Sequence, residues 1–141
     1  MMTVNKAISS TRTSNEFFGD SFKTYLDNIG QIPLLSMDEE QELVRKIREG
    51  GVDAENAREC MINSNLRYVV SVAKRYTSYG LELPELVSEG NMGLIAAVDH
   101  FDSTKGFKFI SYAVWWIRQF ILQAISKRGS VSIISRENEK N

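Results

Sequence analysis

Residues 109–128 of the sequence read FISYAVWWIRQFILQAISKR, and they carry the strongest secondary-structure signal in the chain. At 100° per residue, one side of this segment collects a stripe of aliphatic side chains, namely Ala113, Val114, Ile117, Ile121 and Ile125. Apolar residues that recur at this spacing are typical of the buried face of a helix. The pattern therefore predicts a long helix over 109–128, which Gly129 is expected to end.

The opposite face of this segment holds three aromatic and two amide side chains, which are Tyr112, Trp115, Trp116, Gln119 and Gln123. One interpretation is that both tryptophans belong to the core. The other is a nucleic-acid surface, because aromatic rings stack on unpaired bases and glutamine can read base edges. Lys105, Lys108 and Arg118 lie close by in sequence and could neutralise phosphates. Since the aliphatic side alone can anchor the helix, we favour the second interpretation.

The rest of the chain also shows helical periodicity. Ser36 and Glu39 have the spacing of a capping box, Asp53 is a candidate cap for a third helix, and Pro84 suits a first helical turn. Further helices are predicted over 20–30, 36–50, 65–77 and 84–101, and another is predicted to follow Asp53 and to carry Ala57, Cys60 and Met61. We therefore predict an all-α, multi-helix bundle, divided into a disordered arm at 1–19, a helical domain at 20–128 and a short flexible tail at 129–141.

The composition excludes several classes of protein. The 141 residues include one Cys, one His, 17 basic residues and 18 acidic residues. Cys60, which we expect to be a small buried residue, cannot form an internal disulfide or a metal cluster alone. No apolar run is long enough to span a membrane, and the start of the chain lacks a signal peptide's apolar stretch. We expect no metal, no cofactor and no membrane partner.

The near-neutral total charge hides an uneven distribution. Residues 105–141 hold 7 basic and 2 acidic side chains, and residues 103–136 include no carboxylate. A basic end on an acidic body indicates either a face that meets a polyanion or a solvated basic face. Groups for catalysis are scarce, because His100 is the only imidazole and is expected to have a surface or capping role. No phosphate-binding loop or zinc-binding helix motif occurs, so we predict that the chain is not an enzyme.

Residues 105–112, KGFKFISY, also approach the RNP1 pattern of RNA-recognition motifs. Lys108 stands where that pattern has Gly or Ala, and the motif must form a strand of a four-stranded sheet. Since this segment runs directly into helical periodicity, we interpret the match as accidental.

Three ordered segments resemble signature motifs of the sigma-70 family of bacterial transcription initiation factors, in the domain that melts promoters. They are NLRYVVSVAKRY at 65–76, LVSEGNMGL at 86–94 and GFKFISYAVWWIRQ at 106–119. Residues 20–50 are similar to the helical segment that precedes this domain in primary-type members. The resemblance implies a bundle of the sigma-factor domain 2 type. It also implies core RNA polymerase and promoter DNA as partners, in the cytoplasm of a bacterial or phage-infected cell.

The resemblance implies roles for individual side chains. Those that match positions docking on the coiled coil of the polymerase's largest subunit are Glu85, Ser88, Glu89, Asn91 and Ile95. Those that match positions opening the −10 element and holding its flipped adenine are Lys105, Phe107, Lys108, Phe109, Tyr112, Trp115 and Trp116. Gln119 matches a position that reads the upstream edge of the element. Asn65 and Ser111 match positions near its last base, and Lys74 and Arg75 match positions that contact the DNA backbone. Arg118, on the flank of this face, completes the expected DNA-binding set.

Two of the departures from the family pattern bear on how promoters are read. Leu122 and Gln123 stand where a second basic or polar residue is usual, so we expect altered reading of the upstream edge. After Arg128 the basic, proline-containing linker is missing, and we expect no −35-reading domain, which leaves room for a further protein that supplies upstream contacts. Two functions stay open: an initiation factor that captures flipped bases, and an adaptor or competitor that binds polymerase without opening promoters. The intact aromatic face favours the first.

Overall fold

The computed structural model describes the backbone of residues 14–140 and the side chains of residues 20–129. Within that range it contains α-helices and no strand, so the predicted all-α fold is confirmed and residues 105–112 form no RNP1 strand. The α-helices are α1 (Ser14–Gly30), α2 (Met37–Glu49), α3 (Val52–Asn63), α4 (Leu66–Ala73), α5 (Leu83–His100) and α6 (Phe109–Lys140). Two 3₁₀ helices follow α4 and α5, at Lys74–Tyr79 and Ser103–Lys105. None of the described helices has the length and apolar character to cross a membrane.

The core is built around the contact between α5 and α6, with α4 packed against both. Leu94 of α5 and Ile117 and Ile121 of α6 have no exposed surface. The two helices touch through their backbones at Gly93, where an added Cβ would lie 2.6 Å from the carbonyl oxygen of Trp116. The aliphatic stripe of the predicted helix therefore faces the core as expected, and α5 fixes which side of α6 faces outward.

The first half of the bundle is fixed by a helix cap and an ion pair. The Ser36 hydroxyl accepts a hydrogen bond from the Glu39 backbone at 3.2 Å, and the Glu39 carboxylate accepts one from the Ser36 backbone at 2.9 Å, which confirms the capping box. α2 ends at Gly50, whose φ of 75° suits glycine.

The guanidinium of Arg58 on α3 donates to both carboxylate oxygens of Asp99 on α5, at 2.7 and 3.1 Å. This pair joins two helices that are far apart in sequence.

The outer helix boundaries differ from the predicted ones. α1 begins at Ser14, inside the segment that we predicted as an arm, and α6 continues past Gly129 to Lys140, through the predicted tail. Gly129 does not end α6 because it lacks the positive φ of a terminating glycine, and a glycine inside a helix costs only about 1 kcal/mol. Residues 1–13 lie outside the described residues. The division into arm, domain and tail stays a prediction.

Three local predictions around α3 and α4 were wrong. The predicted helix over 65–77 is divided, because α4 tightens into a 3₁₀ helix after Ala73. α3 is preceded by Gly51, with a φ of 91°, so Asp53 lies within its first turn and is not the cap. Cys60 is exposed, because the next residue, Met61, takes the core-facing position of α3.

Candidate nucleic-acid interface

Aromatic rings form a continuous cluster around the start of α6. This aromatic cluster consists of Phe101, Phe109, Tyr112, Trp115 and Trp116. Neighbouring ring centroids are 5.3 Å apart for Phe101 and Phe109, 5.5 Å for Phe101 and Tyr112, 6.3 Å for Tyr112 and Trp116, and 5.4 Å for the two tryptophans. Each pair is tilted or edge-to-face, which is the arrangement that the charge distribution of aromatic rings favours. The cluster is therefore already packed without a ligand.

The two tryptophans have different surroundings. Trp115 is 57% exposed, whereas Trp116 is half-buried and packs against the core. The indole nitrogen of Trp116 is buried and has no hydrogen-bond partner. Tyr112, also half-buried, donates its hydroxyl hydrogen to the backbone carbonyl of His100 at 3.2 Å. The exposure of Trp115 contradicts the interpretation in which both tryptophans belong to the core.

The two phenylalanines that precede the tryptophans have opposite positions. Phe107 lies in the loop before α6 and is 63% exposed. Phe109 is only 1% exposed, because it lies one helical turn before Ala113 and shares that residue's core-facing side of α6. Its ring meets the edge of the Phe101 ring in the core. The Phe109 ring is therefore the buried support of the aromatic cluster, and the DNA contact expected for it stays a prediction.

Basic side chains surround the aromatic cluster on two sides. Lys105 ends the 3₁₀ helix Ser103–Lys105 and Lys108 lies in the loop before α6. Both are exposed, on either side of Gly106, whose φ of 78° turns the chain toward α6. Arg118 on α6 donates from Nε to the hydroxyl of Tyr76 at 3.2 Å. The same contact brings the 3₁₀ helix Lys74–Tyr79 next to α6, and both basic residues at its start, Lys74 and Arg75, are exposed.

The three remaining polar candidates lie in different places. Gln119 is half-buried on α6, one helical turn after Trp115 and on the same side of the helix. Ser111 is exposed in the first turn of α6. Asn65 lies between α3 and α4, where its side-chain nitrogen donates to the carbonyl of Met61 at 2.8 Å. Gln119 therefore extends the surface of Trp115 directly, whereas the amide of Asn65 is already engaged with α3.

A second surface lies on the outward side of α5. Glu85, Ser88 and Ile95 are exposed there, and Glu89 is half-buried between them. Met92 is 56% exposed on the same side. We call these five residues the α5 face. It combines carboxylates with large apolar side chains.

Asn91 is separated from the α5 face. Its side-chain nitrogen donates to the hydroxyl of Tyr25 on α1 at 3.0 Å, and its side-chain oxygen is buried without a hydrogen-bond partner. Burial raises the pKa of Tyr25, and the hydrogen bond from Asn91 acts in the opposite direction. Asn91 therefore joins α1 to α5, and the docking role that the family resemblance implies for it stays a prediction.

Two regions of one protein family match the chain. The family described as Sigma-70 region 2 matches residues 61–131, which is half of the chain. The chain belongs to the sigma-70 family. The family described as Sigma-70 factor, region 1.2 matches residues 20–53. The region 2 match contains α4, α5, the aromatic cluster and the α5 face, and the region 1.2 match contains α2 and the described side chains of α1.

The curated relatives are longer sigma factors. The chain is 51% identical over 113 residues to RNA polymerase sigma factor SigA of Lactococcus lactis subsp. cremoris, a match that spans 80% of this chain and 31% of the relative. It is 46% identical over 121 residues to RNA polymerase sigma-C factor of Myxococcus xanthus, which spans 85% of this chain and 40% of the relative. The chain thus covers about a third of the length of the relatives it matches.

A groove that no local sequence pattern predicted lies between the two sigma-70 segments. It has a volume of about 670 Å³ and lies between α2 and residues 101–109, with Met37, Glu40, Phe107 and Lys108 among its lining residues. Burial in this groove raises the pKa of Glu40. A hydrogen bond from Arg48 to Ser103 joins its two sides across 55 positions of sequence. No local motif could have predicted a site whose halves are so far apart in the chain.

Proposed function

We propose that this chain is the part of a sigma-type initiation factor that binds core RNA polymerase and captures unstacked bases from the non-template strand of a −10-like promoter element. The observation that carries the proposal is the exposed Trp115 ring, packed edge-on against Trp116 and opposite a complete aliphatic core stripe. The role is one of binding and not of catalysis. Its proposed location is the bacterial cytoplasm, where polymerase and promoter DNA are found.

The aromatic cluster supports base capture on energetic grounds. Taking a base out of the duplex costs a few kcal/mol, and stacking on an aromatic ring returns roughly 1–3 kcal/mol per base. The rings of Tyr112, Trp115 and Trp116 are already packed in one cluster, and those of Tyr112 and Trp116 also pack against the core, so little ordering is needed when a base arrives. Gln119, on the same side of α6 as Trp115, could then contact the base pair at the upstream edge.

The charges around the cluster support DNA as the ligand. Lys105 and Lys108 lie before the rings, Arg118 lies after them, and no carboxylate occurs between Ser103 and Arg136 in the sequence. Positive side chains of this kind hold the phosphate backbone and carry no sequence information, so they would position the strand while the rings select unpaired bases. We propose Lys74 and Arg75 as further backbone contacts, because the bond between Tyr76 and Arg118 brings their 3₁₀ helix against α6.

The α5 face is the proposed surface for polymerase. Exposed Met92 and Ile95 offer apolar area, and Glu85 and Glu89 add charge that would select a basic partner. By resemblance, that partner is the coiled coil of the polymerase's largest subunit. Asn91 would act indirectly, since its hydrogen bond to Tyr25 couples α1 to the helix that carries this face.

Two variants test the proposal by separating its two surfaces. In Trp115→Ala/Trp116→Ala, we expect unchanged binding to core polymerase, measured by fluorescence anisotropy of the labelled chain, and loss of permanganate-reactive thymines in the −10-like element. In Glu89→Lys, we expect the opposite order of effects: binding to core polymerase weakens, and promoter opening is lost only as a consequence. Glu59→Lys is the matched control, because Glu59 is an exposed acidic residue on a different helix, α3.

Each alternative predicts a different result. If the chain binds polymerase and inhibits transcription without exposing thymines, it is an adaptor or competitor. If the double tryptophan variant loses its far-ultraviolet circular dichroism, both rings are needed for folding and the assignment of the DNA surface is wrong.

A further inference from the structure

His100 contacts two of the proposed DNA-binding residues although it lies on a different helix. Its imidazole stacks on the indole of Trp116, with 4.9 Å between ring centroids and 22° between ring planes. Its Nδ1 lies 2.8 Å from the carbonyl oxygen of Ala96, and its own carbonyl accepts the hydroxyl hydrogen of Tyr112 at 3.2 Å. The end of α5 is therefore in contact with both rings on α6.

The contact between His100 and Trp116 differs in kind from the other ring contacts of that tryptophan. Trp115 and Tyr112 meet Trp116 at 89° and 61°, and Phe120 meets it at 42° with 6.5 Å between centroids. Among these described pairs, only the imidazole lies nearly parallel to the indole and covers its face. Since the indole nitrogen is buried without a hydrogen-bond partner, the orientation of Trp116 depends on packing.

We propose that His100 is a positioning residue for base capture, holding the Trp116 indole in the orientation that completes the aromatic cluster. The inference rests on the proposed function and adds to it a residue outside the family motifs quoted above. The imidazole belongs to the last residue of α5, and its stack on the indole joins α5 to Trp116 on α6; the hydrogen bond between Nδ1 and Ala96 is a separate contact within α5. Tyr112 is held separately, by the backbone carbonyl of residue 100, so substitutions of the imidazole leave that hydrogen bond available.

Two substitutions separate stacking from helix capping. His100→Phe keeps a flat ring over Trp116 and removes the hydrogen bond to Ala96. His100→Gln keeps a polar group that can bond to the end of α5 and removes the ring. If His100 only caps the helix, the glutamine variant is the milder one; if the stacked ring positions Trp116, the phenylalanine variant is the milder one.

The test uses the full chain bound to core polymerase and a fluorescein-labelled single-stranded oligonucleotide that carries a −10-like sequence. We expect the Kd of His100→Phe to stay within about 2-fold of the wild type. His100→Gln and His100→Ala should bind about 2- to 10-fold more weakly, as the loss of one aromatic pair implies. Near-ultraviolet circular dichroism of the free chain should show weaker tryptophan bands in the Gln and Ala variants and nearly wild-type bands in the Phe variant. Glu59→Ala, with an exposed side chain on α3, is the control.

The outcomes distinguish the two proposals. A wild-type complex that binds a scrambled oligonucleotide as tightly as the −10-like one contradicts base capture itself. Suppose that the wild type prefers the −10-like oligonucleotide to the scrambled one, but all three His100 variants have its Kd and its near-ultraviolet circular dichroism. Base capture then stands and the positioning role is overturned. A phenylalanine variant that is as weak as alanine, with glutamine unaffected, also overturns that role in favour of capping.

Discussion

Gly93 lies where the backbones of α5 and α6 touch, so its replacement by alanine tests the packing that presents the aromatic cluster. A Cβ at this position would lie 2.6 Å from the carbonyl oxygen of Trp116 and 2.8 Å from the Cα of Ile117. An ordinary contact of this kind begins at 3.4 Å. To reach that distance, α6 has to move away from α5 by about 0.8 Å at Trp116.

The expected cost of Gly93→Ala follows from two opposing effects. Overpacking a close-packed interior costs about 1–3 kcal/mol, and we expect the upper end because the obstacle is backbone and not a rotatable side chain. Alanine returns about 1 kcal/mol of helix propensity relative to glycine. We therefore predict that Gly93→Ala lowers the free energy of unfolding by about 2 kcal/mol.

Gly90 provides a matched control one helical turn earlier. A Cβ there would meet side-chain atoms only, Val69 Cγ1 at 2.8 Å and Ile117 Cγ2 and Ile121 Cδ1 at 3.3 Å, so the contact can be relieved with less displacement of a helix than a clash with backbone atoms requires. The measurement is urea unfolding followed by far-ultraviolet circular dichroism. We expect Gly90→Ala to stay within about 1 kcal/mol of the wild type. A Gly93→Ala protein as stable as the wild type, or less destabilised than Gly90→Ala, would refute the reasoning.

Two further predictions concern the helix cap and the ion pair. Ser36→Ala should cost about 1 kcal/mol in urea unfolding and should partly raise the pKa of Glu39 in an NMR titration, because the backbone bond that contributes most to its low pKa remains. An unchanged Glu39 titration would contradict this. The hydrogen bonds from Arg58 lower the pKa of Asp99, so their contribution is present above the unfolded carboxyl pKa of about 4 and is lost as pH falls through the folded pKa. Asp99→Asn should cost only about 0.2–1 kcal/mol at pH 7, since the pair is partly exposed, and the cost should shrink in unfolding measured near pH 2; an equal cost at both pH values would contradict the prediction.

The fold was largely predictable because its helices carry strong local signals. The aliphatic stripe of α6, the capping box at Ser36 and Pro84 in the first turn of α5 all appear in the sequence and all hold in the structure. Helix ends were less predictable. Gly129 has the residue type of a terminator, but termination depends on its φ, which the residue type does not fix.

The candidate site was predictable on α6 and less so where other helices meet it. The wheel of α6 correctly left Trp115 on the surface, but Phe109 shares a helix side with Ala113 and is buried. His100 offered no sequence signal for its contact with Trp116, because that contact depends on how α5 and α6 pack. The part that α2 takes in the groove also depends on tertiary packing and could not be predicted locally.

Capture of a flipped base is the central claim, and a fluorescence measurement tests it most directly. A bubble DNA carries 2-aminopurine in place of the flipped adenine of a −10-like sequence, and its emission is recorded with core polymerase, with this chain, and with both. We predict a rise in fluorescence that requires both components and that the Trp115→Ala/Trp116→Ala variant does not produce. An unchanged signal while the chain is bound to polymerase would contradict the account.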